Sequence, residues 1–182
     1  MIDNYIPYKI YKSVFDVDYK YLLTLRVKVL LFDIDNTLLP YGVDEPDDKL
    51  IELFDYLKKL GFIICLISNN SKKRVESLAL KLDVYSIYRA NKPSTKGFKK
   101  AFLMFNVSCI EVAMIGDQML TDIKGANKAL VKGILVKTII LKKQKWYTKI
   151  NRLREKGILK KIKEINNSKY NELMEVIYNN DK

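Results

Sequence analysis

The chain has 182 residues, which fits one ordinary domain with a buried core, and its 33 basic residues exceed its 21 acidic residues by 12. It contains no histidine, which excludes Ser-His-Asp and Cys-His triads, histidine-ligated zinc sites and phosphohistidine mechanisms. Two cysteines cannot form a four-thiolate zinc site, and neither a nucleotide P-loop nor a Cys-x5-Arg phosphatase loop occurs. Any catalysis must therefore use carboxylates, lysines and hydroxyls.

The sequence shows no signal for export or membrane insertion. The start lacks the charged and apolar regions of a signal peptide. The longest stretch without a charged residue is Leu60–Ser71, 12 residues, whereas a membrane helix needs roughly 20. Cys65 and Cys109 lie beside apolar runs, as buried thiols in a reducing compartment do. These features predict a soluble, cytoplasmic protein.

Strand-like and helix-like patterns alternate after a tyrosine-rich segment, residues 1–26, which we expect to pack as an N-terminal arm. Short, continuously apolar runs predict five buried strands, at residues 27–33, 62–67, 84–88, 110–115 and 133–140. Apolar residues at helical spacing predict four helices between them, near residues 50–60, 71–82, 98–105 and 121–130. Gly61 is expected to end the first helix, Ser71 to cap the second and Pro93 to open the third.

This alternation predicts an α/β fold: a three-layer, Rossmann-like parallel sheet of about five strands with helices on both faces. Residues 27–140 would form this core, and residues 141–182 a basic helical C-terminal tail packed on it or extending from it. Ligand sites in such sheets form at the carboxyl ends of the strands. Asp33, Ser68 and Asp117 each follow an apolar strand directly, so we expect them to meet at that edge.

Two carboxylates stand two residues apart at the end of the first predicted strand, in the run Phe32–Thr37. Alternate residues of a strand point to the same side, so Asp33 and Asp35 share a side of the sheet edge. Such a pair can divide the work of attack and proton transfer. Considered alone, the pair is equally well explained as an Asp-rich turn that closes a strand.

Three further features follow in chain order. Ser68 ends the second strand in Leu-Ile-Ser-Asn-Asn, Lys92 stands in Ala-Asn-Lys-Pro-Ser, and Asp117 and Asp122 stand in Ile-Gly-Asp-Gln-Met-Leu-Thr-Asp. Each of them alone is more often a helix cap or a surface charge than a catalytic group. Their order and their shared position after successive strands favour a single site.

The ordered set resembles the four motifs of the haloacid dehalogenase (HAD) superfamily of phosphotransferases, over roughly residues 27–137. No sizeable insertion follows the first or third predicted strand, so the chain resembles the compact, nearly capless phosphatase subfamily IIIA. The strings at residues 13–18 and 147–152, and the Gly-Asp-Gln-x-x-Thr-Asp form, resemble a bacterial branch related to phosphatidylglycerophosphate phosphatases.

The resemblance implies a division of roles among the catalytic residues. Asp33 would attack phosphorus and become an aspartyl phosphate, while Asp35 would protonate the leaving alcohol and then activate water. Mg²⁺ would be held by the carboxylates of Asp33 and Asp117 and the backbone carbonyl of Asp35. Ser68 and Lys92 would complete the catalytic set by offsetting charge on the phosphoryl group.

The remaining implied roles are supporting ones. Thr37 and Asn69 are expected to bind the phosphate together with Ser68 and Lys92. Asp122 would hold Lys92 or metal-bound waters in place. Many relatives carry a second acid where this chain has Gln118, which leaves open whether Asp122 reaches the metal directly or through water.

The tail is strongly basic. Between Lys142 and Lys163 there are ten basic residues and one acid, Glu155. Apolar residues share one side of the predicted helix: Trp146, Ile150 and Leu153, and after Gly157 also Ile158, Ile162 and Ile165. A basic amphipathic helix suits an anionic membrane surface. Nucleic acid is the weaker expectation because no aromatic-interleaved platform is present. A helix packed on the sheet with a solvated lysine face, in a chain from an AT-rich genome, explains the same pattern.

The sequence therefore predicts a Mg²⁺-dependent phosphomonoesterase with an open site. An open site suits a large or surface-presented substrate, so the expected substrate is phosphatidylglycerophosphate at the inner face of the membrane. The alternatives are a phosphatase for nucleic acid ends or a soluble phosphate ester, and a non-catalytic basic binding module on the same fold.

Overall fold

The centre of the molecule is a parallel β-sheet with helices on both faces. The computed structural model describes residues 2–139 and 146–178, and of residues 146–153 it describes the backbone alone. The strands are β1 (Lys9–Tyr11), β2 (Val29–Phe32), β3 (Ile63–Ile67), β4 (Tyr85–Ile87), β5 (Val112–Gly116) and β6 (Lys132–Val136). Their spatial order is β1-β6-β5-β2-β3-β4, and every neighbouring pair is parallel. The predicted α/β class is confirmed.

The described residues form these α-helices: α1 (Tyr19–Thr24), α2 (Asp48–Lys59), α3 (Lys72–Leu82), α4 (Lys96–Phe105), α5 (Lys124–Lys128), α6 (Trp146–Ile165) and α7 (Asn167–Leu173). No described helix is long and apolar enough to cross a membrane. The connections that follow β2 and β4, residues 33–47 and 88–95, contain no helix. No sizeable cap therefore stands over the carboxyl edge of the sheet in this part of the chain.

All four residues of β2 are buried, which explains why the strand is continuously apolar rather than alternating. Leu30 and Phe32 belong to the apolar layer that α2 and α3 cover. Val29 and Leu31 belong to the opposite layer, together with Phe98 of α4. β2 is thus packed on both faces, and this packing fixes the position of Asp33, the residue that follows the strand.

The sheet has six strands rather than about five, because residues 9–11 of the N-terminal arm pair with β6. Ile10 is buried, whereas Lys9 is exposed and Tyr11 is half-buried. Three residues with a single inward apolar side chain give no period long enough to recognise in a sequence. The added strand covers β6, which would otherwise be the edge of the sheet.

Several predicted element boundaries are wrong. Pro93 does not open a helix: Ser94 N donates to Asn91 O at 2.8 Å in a turn, and α4 begins at Lys96. Ser71 precedes α3, but its side chain makes no capping hydrogen bond. The helix predicted from residue 121 begins earlier, as a π-helical turn over Met119–Ile123, and α5 ends before residue 130. The last strand ends at residue 136 rather than 140, and Cys109 is only half-buried.

The C-terminal helices pack beside β6 and β1. Leu159 and Ile162 of α6 and Leu173 of α7 are buried in one cluster with Ile10 of β1. Ile165, predicted on the apolar side of the tail, is 64% exposed because α6 ends there. Basic side chains face outward along α6, at Arg154, Lys156, Lys160, Lys161 and Lys163. The other residues singled out in the tail lie outside the described side chains: Lys142, Lys143, Lys145, Trp146, Lys149, Ile150 and Leu153.

Candidate active site

The predicted polar residues meet because the strands that they follow are neighbours. β2 lies between β5 and β3, so Asp33, Ser68 and Asp117 emerge side by side at one edge of the sheet. Two backbone hydrogen bonds extend the ladder to this edge: Asp33 N donates to Ile115 O at 2.9 Å, and Ser68 N donates to Ile87 O at 3.0 Å. β3 and β4 lie on one side of β2, and β5 and β6 lie on the other. Parallel sheets bind ligands at the carboxyl edge where the strand order changes direction in this way.

An open cavity of about 150 Å³ lies at this edge. Five of its lining residues were predicted as site residues: Asp33, Asp35, Ser68, Asn69 and Lys92. The remaining lining residues carry neutral polar side chains and were not predicted, namely Asn36, Tyr41, Asn70, Gln118 and Thr121.

Three buried carboxylates and one ammonium group form a cluster at this edge, and of these four groups Asp33 and Lys92 line the cavity. Carboxylate oxygens of Asp33, Asp117 and Asp122 lie within 4.8 Å of one another. Lys92 Nζ lies 2.6 Å from Asp33 Oδ1 and 2.7 Å from Asp122 Oδ1. When all three carboxyl groups are ionised, they leave an excess of two negative charges over the one ammonium, and Asp117 Oδ2 has no hydrogen-bond partner among the described residues. The excess charge and the unsatisfied oxygen fit a hard divalent cation such as Mg²⁺.

The raised pKa values of two carboxyl groups in the cluster also favour a bound cation. Burial raises the pKa of Asp33 to about 7, and the Lys92 ammonium offsets only part of this effect. Burial also raises the pKa of Asp117 well above its usual range, and repulsion from Asp122 and Asp33 adds to the rise. A cation bound between these carboxylates would relieve both effects.

Lys92 remains an ammonium in this environment. Burial by itself lowers the pKa of Lys92, but the carboxylates of Asp122 and Asp33 outweigh burial and raise the pKa above the usual range of lysine. Asn69 fixes the backbone of Lys92 at both polar groups, since Asn69 Nδ2 donates to Lys92 O at 3.0 Å and Asn69 Oδ1 accepts from Lys92 N at 2.7 Å. The site therefore holds a fixed positive charge within this cluster.

Thr37 and Asp122 lie behind the cavity. Thr37 is buried, and its hydroxyl donates to Asp117 Oδ1 at 3.2 Å. Asp122 is fully buried, with Oδ1 beside Lys92 and Oδ2 accepting from Gln118 N at 3.1 Å. These contacts orient the charged groups of the cluster, and the phosphate contact expected for Thr37 stays a prediction.

The carboxylate of Asp35 is contacted by two residues that were not predicted as site residues, Arg74 and Asn70. Arg74 Nη2 lies 2.6 Å from Asp35 Oδ1 and donates to Val43 O at 3.1 Å, and Asn70 donates to the other oxygen of Asp35. Arg74 lies on α3, and a single arginine in a charged helix gives no sequence signal for such a role. Thr138, which follows β6, was also missed: its hydroxyl lies beside Asp117 and acts to lower the pKa of that carboxyl.

Comparisons with known proteins agree with this geometry. The sequence profile of the haloacid dehalogenase-like hydrolases matches residues 41–129. Probable phosphatase YqeG of Bacillus subtilis (strain 168) is 31% identical over 159 residues, which cover 87% of this chain and 92% of that protein. A glyceraldehyde 3-phosphate phosphatase of Pyrococcus abyssi is 29% identical over 90 residues, 44% of this chain and 38% of that protein.

The fold itself has a solved counterpart. A crystal structure of a protein from Listeria monocytogenes serotype 4b superimposes with a TM-score of 0.52 at 16% identity, covering 65% of this chain and 85% of that one. The B. subtilis relative is 31% identical and extends over nearly the full length of both chains. The chain therefore belongs to the haloacid dehalogenase-like hydrolases, as a phosphatase that uses Mg²⁺.

Proposed function

We propose that this phosphatase works through an aspartyl phosphate on Asp33 and that its substrate is phosphatidylglycerophosphate at the inner face of the membrane. One observation carries the catalytic part of the proposal. The carboxylates of Asp33 and Asp35 line the same open cavity, and Asp33 also belongs to the cation-binding cluster with Asp117. A phosphoryl group in that cavity would meet the attacking carboxylate, the proton donor and the countercharges together.

In the first step, a carboxylate oxygen of Asp33 bonds to phosphorus while the bond between phosphorus and the leaving oxygen breaks. Asp35 gives its proton to that oxygen, so that a neutral alcohol departs. In the second step, Asp35 takes a proton from a water molecule whose oxygen attacks phosphorus, which frees Asp33 and inorganic phosphate. A carboxylate is a nucleophile at neutral pH without a separate base, so the chemistry needs no histidine.

The other residues of the site would neutralise and orient the phosphoryl group. Mg²⁺, held by the carboxylates of Asp33 and Asp117 and the backbone carbonyl of Asp35, would supply positive charge to the phosphoryl oxygens. Lys92 supplies a second positive charge beside Asp33, and Asp122 keeps its ammonium in place. Ser68 and Asn69, which line the cavity, and Thr37 behind it are the expected phosphate contacts.

The covalent step is tested by acid quench of the enzyme during turnover of a ³²P-labelled ester. We expect label on the peptide that contains residue 33, and loss of both label and turnover in Asp33→Asn. Asp83→Asn is the matched control, because the side chain of Asp83 is 96% exposed and asparagine also tolerates its left-handed backbone. Turnover that persists in Asp33→Asn, or label on another residue, would contradict the covalent mechanism.

The lipid assignment rests on the open site, the basic outer face of α6 and the resemblance to the phosphatidylglycerophosphatase branch of subfamily IIIA. Leu159 and Ile162 are buried against the protein core, so this part of α6 has no free apolar face to insert into lipid. Docking through α6 would depend on its lysines and would weaken as salt screens them.

The test compares two triple variants of equal charge. One changes Lys156, Lys160 and Lys161 on α6 to glutamine, and the other changes three exposed lysines elsewhere, namely Lys49, Lys59 and Lys73. We expect the α6 variant alone to lose co-sedimentation with anionic vesicles and hydrolysis of phosphatidylglycerophosphate in them, while hydrolysis of a soluble ester is unchanged. Equal losses in both variants, or wild type that ignores anionic vesicles, would remove the lipid assignment.

A soluble phosphate ester with a small polar alcohol is the second candidate. The cavity walls beyond the charged cluster carry amide and hydroxyl side chains, among them Asn70, Gln118 and Thr121, which suit hydroxyl groups better than acyl chains. A panel of glycerol, sugar and nucleotide monophosphates assayed without vesicles tests it. A kcat/KM on such an ester above that on vesicle-bound lipid would favour this candidate.

A further inference from the structure

Glu155 is the one acid in the basic stretch from Lys142 to Lys163, and it does not face solvent. It is 7% exposed, whereas its neighbours Arg154 and Lys156 are exposed. Burying a carboxylate is costly unless a partner compensates it. Glu155 Oε1 accepts a hydrogen bond from the backbone amide of Met119 at 3.0 Å. The acid of the tail is therefore bound to the loop that follows β5.

That loop carries Asp117. Met119 lies two residues after Asp117 and begins the π-helical turn, where backbone amides lack partners within the helix. The amide before it, Gln118 N, donates to Asp122 Oδ2 at 3.1 Å. Asp122 and Glu155 thus each accept a hydrogen bond from one of the two consecutive backbone amides that follow Asp117.

The tail also fixes the side chain of Met119. Met119 is 1% exposed and packs in the cluster that contains Leu159 and Ile162 of α6. The π-helical turn therefore receives both a hydrogen bond and an apolar contact from α6. With backbone and side chain held, little freedom remains in the two peptide units that separate Met119 from Asp117.

We infer that Glu155 is a positioning residue for the metal site: it fixes the loop that aims the carboxylate of Asp117, which gives the basic tail a role in metal affinity. The inference rests on the proposed role of Asp117 as a metal ligand. Groups that orient metal ligands without touching the metal change metal affinity when they are removed. A tail that served only to cover the sheet would not do so.

The test measures Mg²⁺ binding by titration calorimetry on the full chain, together with the Mg²⁺ dependence of turnover. In Glu155→Ala we expect Mg²⁺ to bind roughly tenfold more weakly. The Mg²⁺ concentration for half-maximal activity should rise in step, while kcat at saturating Mg²⁺ stays near wild type. Glu155→Gln keeps an oxygen that can accept from Met119 N, so it should recover most of the affinity.

Leu57→Ala is the control for destabilisation alone. It removes a buried apolar side chain of α2 that belongs to a different cluster from the one that contains Met119, so it should lower the melting temperature without changing Mg²⁺ affinity. If Glu155→Ala behaves in the same way, or if Glu155→Gln is as impaired as Glu155→Ala, the inference is overturned.

The variant Asp117→Asn distinguishes failure of this inference from failure of the proposed metal role of Asp117. Unchanged Mg²⁺ binding in Asp117→Asn would remove the metal role of Asp117 and the inference with it. Loss of binding in Asp117→Asn without any loss in Glu155→Ala would overturn the inference and leave the proposed function intact.

Discussion

Arg74 connects the proposed acid–base residue to the loop that leaves β2. Its guanidinium lies against the Asp35 carboxylate, pairs with Asp44 and donates to Val43 O. Lys81, about two turns further along the same face of α3, donates to Asp44 O at 3.1 Å and makes no hydrogen bond or ion pair with Asp35. Arg74 and Lys81 thus both contact the loop that follows β2, but of these two only Arg74 contacts Asp35.

We predict that Arg74→Met lowers kcat by roughly 10- to 100-fold, because Asp35 loses the contact that aims its carboxyl group at the leaving oxygen. The loss should be larger for esters with poor leaving groups, which depend most on proton donation. Steady-state kinetics on a series of aryl and alkyl phosphates measures it. Lys81→Gln should stay near wild type, and an equal loss in that variant would assign the effect to the loop instead.

Gly116 allows Asp122 to approach the backbone of β5. A Cβ at Gly116 would lie 2.5 Å from Asp122 Cγ, and Asp122 is fully buried, ion-paired with Lys92 and hydrogen-bonded to Gln118 N. The carboxylate cannot move away without releasing one of these partners.

We therefore predict that Gly116→Ala destabilises the protein by about 1–3 kcal/mol and strongly reduces turnover, because Asp122 no longer holds Lys92. Gly157→Ala is the matched control: outside the helix's own backbone, no atom of the described residues lies within 4 Å of its Cβ position in α6, and alanine should stabilise that helix by roughly 0.5–1 kcal/mol. Urea denaturation and phosphatase assays measure both. Normal turnover in Gly116→Ala would show that Asp122 can be displaced without cost.

Helix α6 packs against the core through its buried apolar residues. Its inner residues join Ile10 of β1 and Leu173 of α7, so the two ends of the chain meet over the edge of the sheet. This packing explains how a helix with so many lysines is held on the protein.

We predict that Ile162→Ala, at a site with no exposure, lowers the free energy of unfolding by about 2–5 kcal/mol. Ile165→Ala, in the last turn of the same helix and 64% exposed, should change it by no more than about 0.5 kcal/mol. Chemical denaturation of the full chain measures both variants. Equal, small effects would mean that α6 contributes little to the fold.

The buried acids make the stability of the protein and its affinity for metal depend on pH. A carboxyl whose pKa is higher in the folded than in the unfolded state stabilises the fold below its unfolded pKa, near 4 for an aspartate. For Asp33 that contribution is lost as the pH rises towards about 7, and the raised pKa of Asp117 acts in the same direction. The metal-free protein should therefore lose stability as its acids ionise.

We predict that Mg²⁺ binds roughly tenfold more tightly at pH 8 than at pH 6, because about one proton must leave Asp33 below pH 7 for the ion to bind. Removal of Mg²⁺ should accordingly lower the melting temperature more at pH 8 than at pH 6. Calorimetric titrations and thermal melts in buffers of matched ionic strength measure both effects. Affinity that does not change with pH would contradict the raised pKa of Asp33 in the metal-free protein.

The class of chemistry and most of the sheet can be predicted from residue types and local patterns. The absence of histidine and the D-x-D pair selected carboxylate chemistry, since reactivity depends on residue type and local spacing. β2, β3 and β5 were recognisable because a strand buried on both faces must be continuously apolar. The strand β1 was not, because its register with β6 is decided by a partner more than a hundred residues away.

The groups that hold the predicted residues in place come from distant parts of the chain, so they are visible only in the folded protein. Arg74 reaches Asp35 across 39 residues of chain, and Glu155 reaches Met119 across 36. Local periodicity reports which face of an element is buried, but it carries no information about which distant side chain lies opposite. A buried carboxylate in a basic helix becomes interpretable only when the packing of that helix shows the amide that it binds.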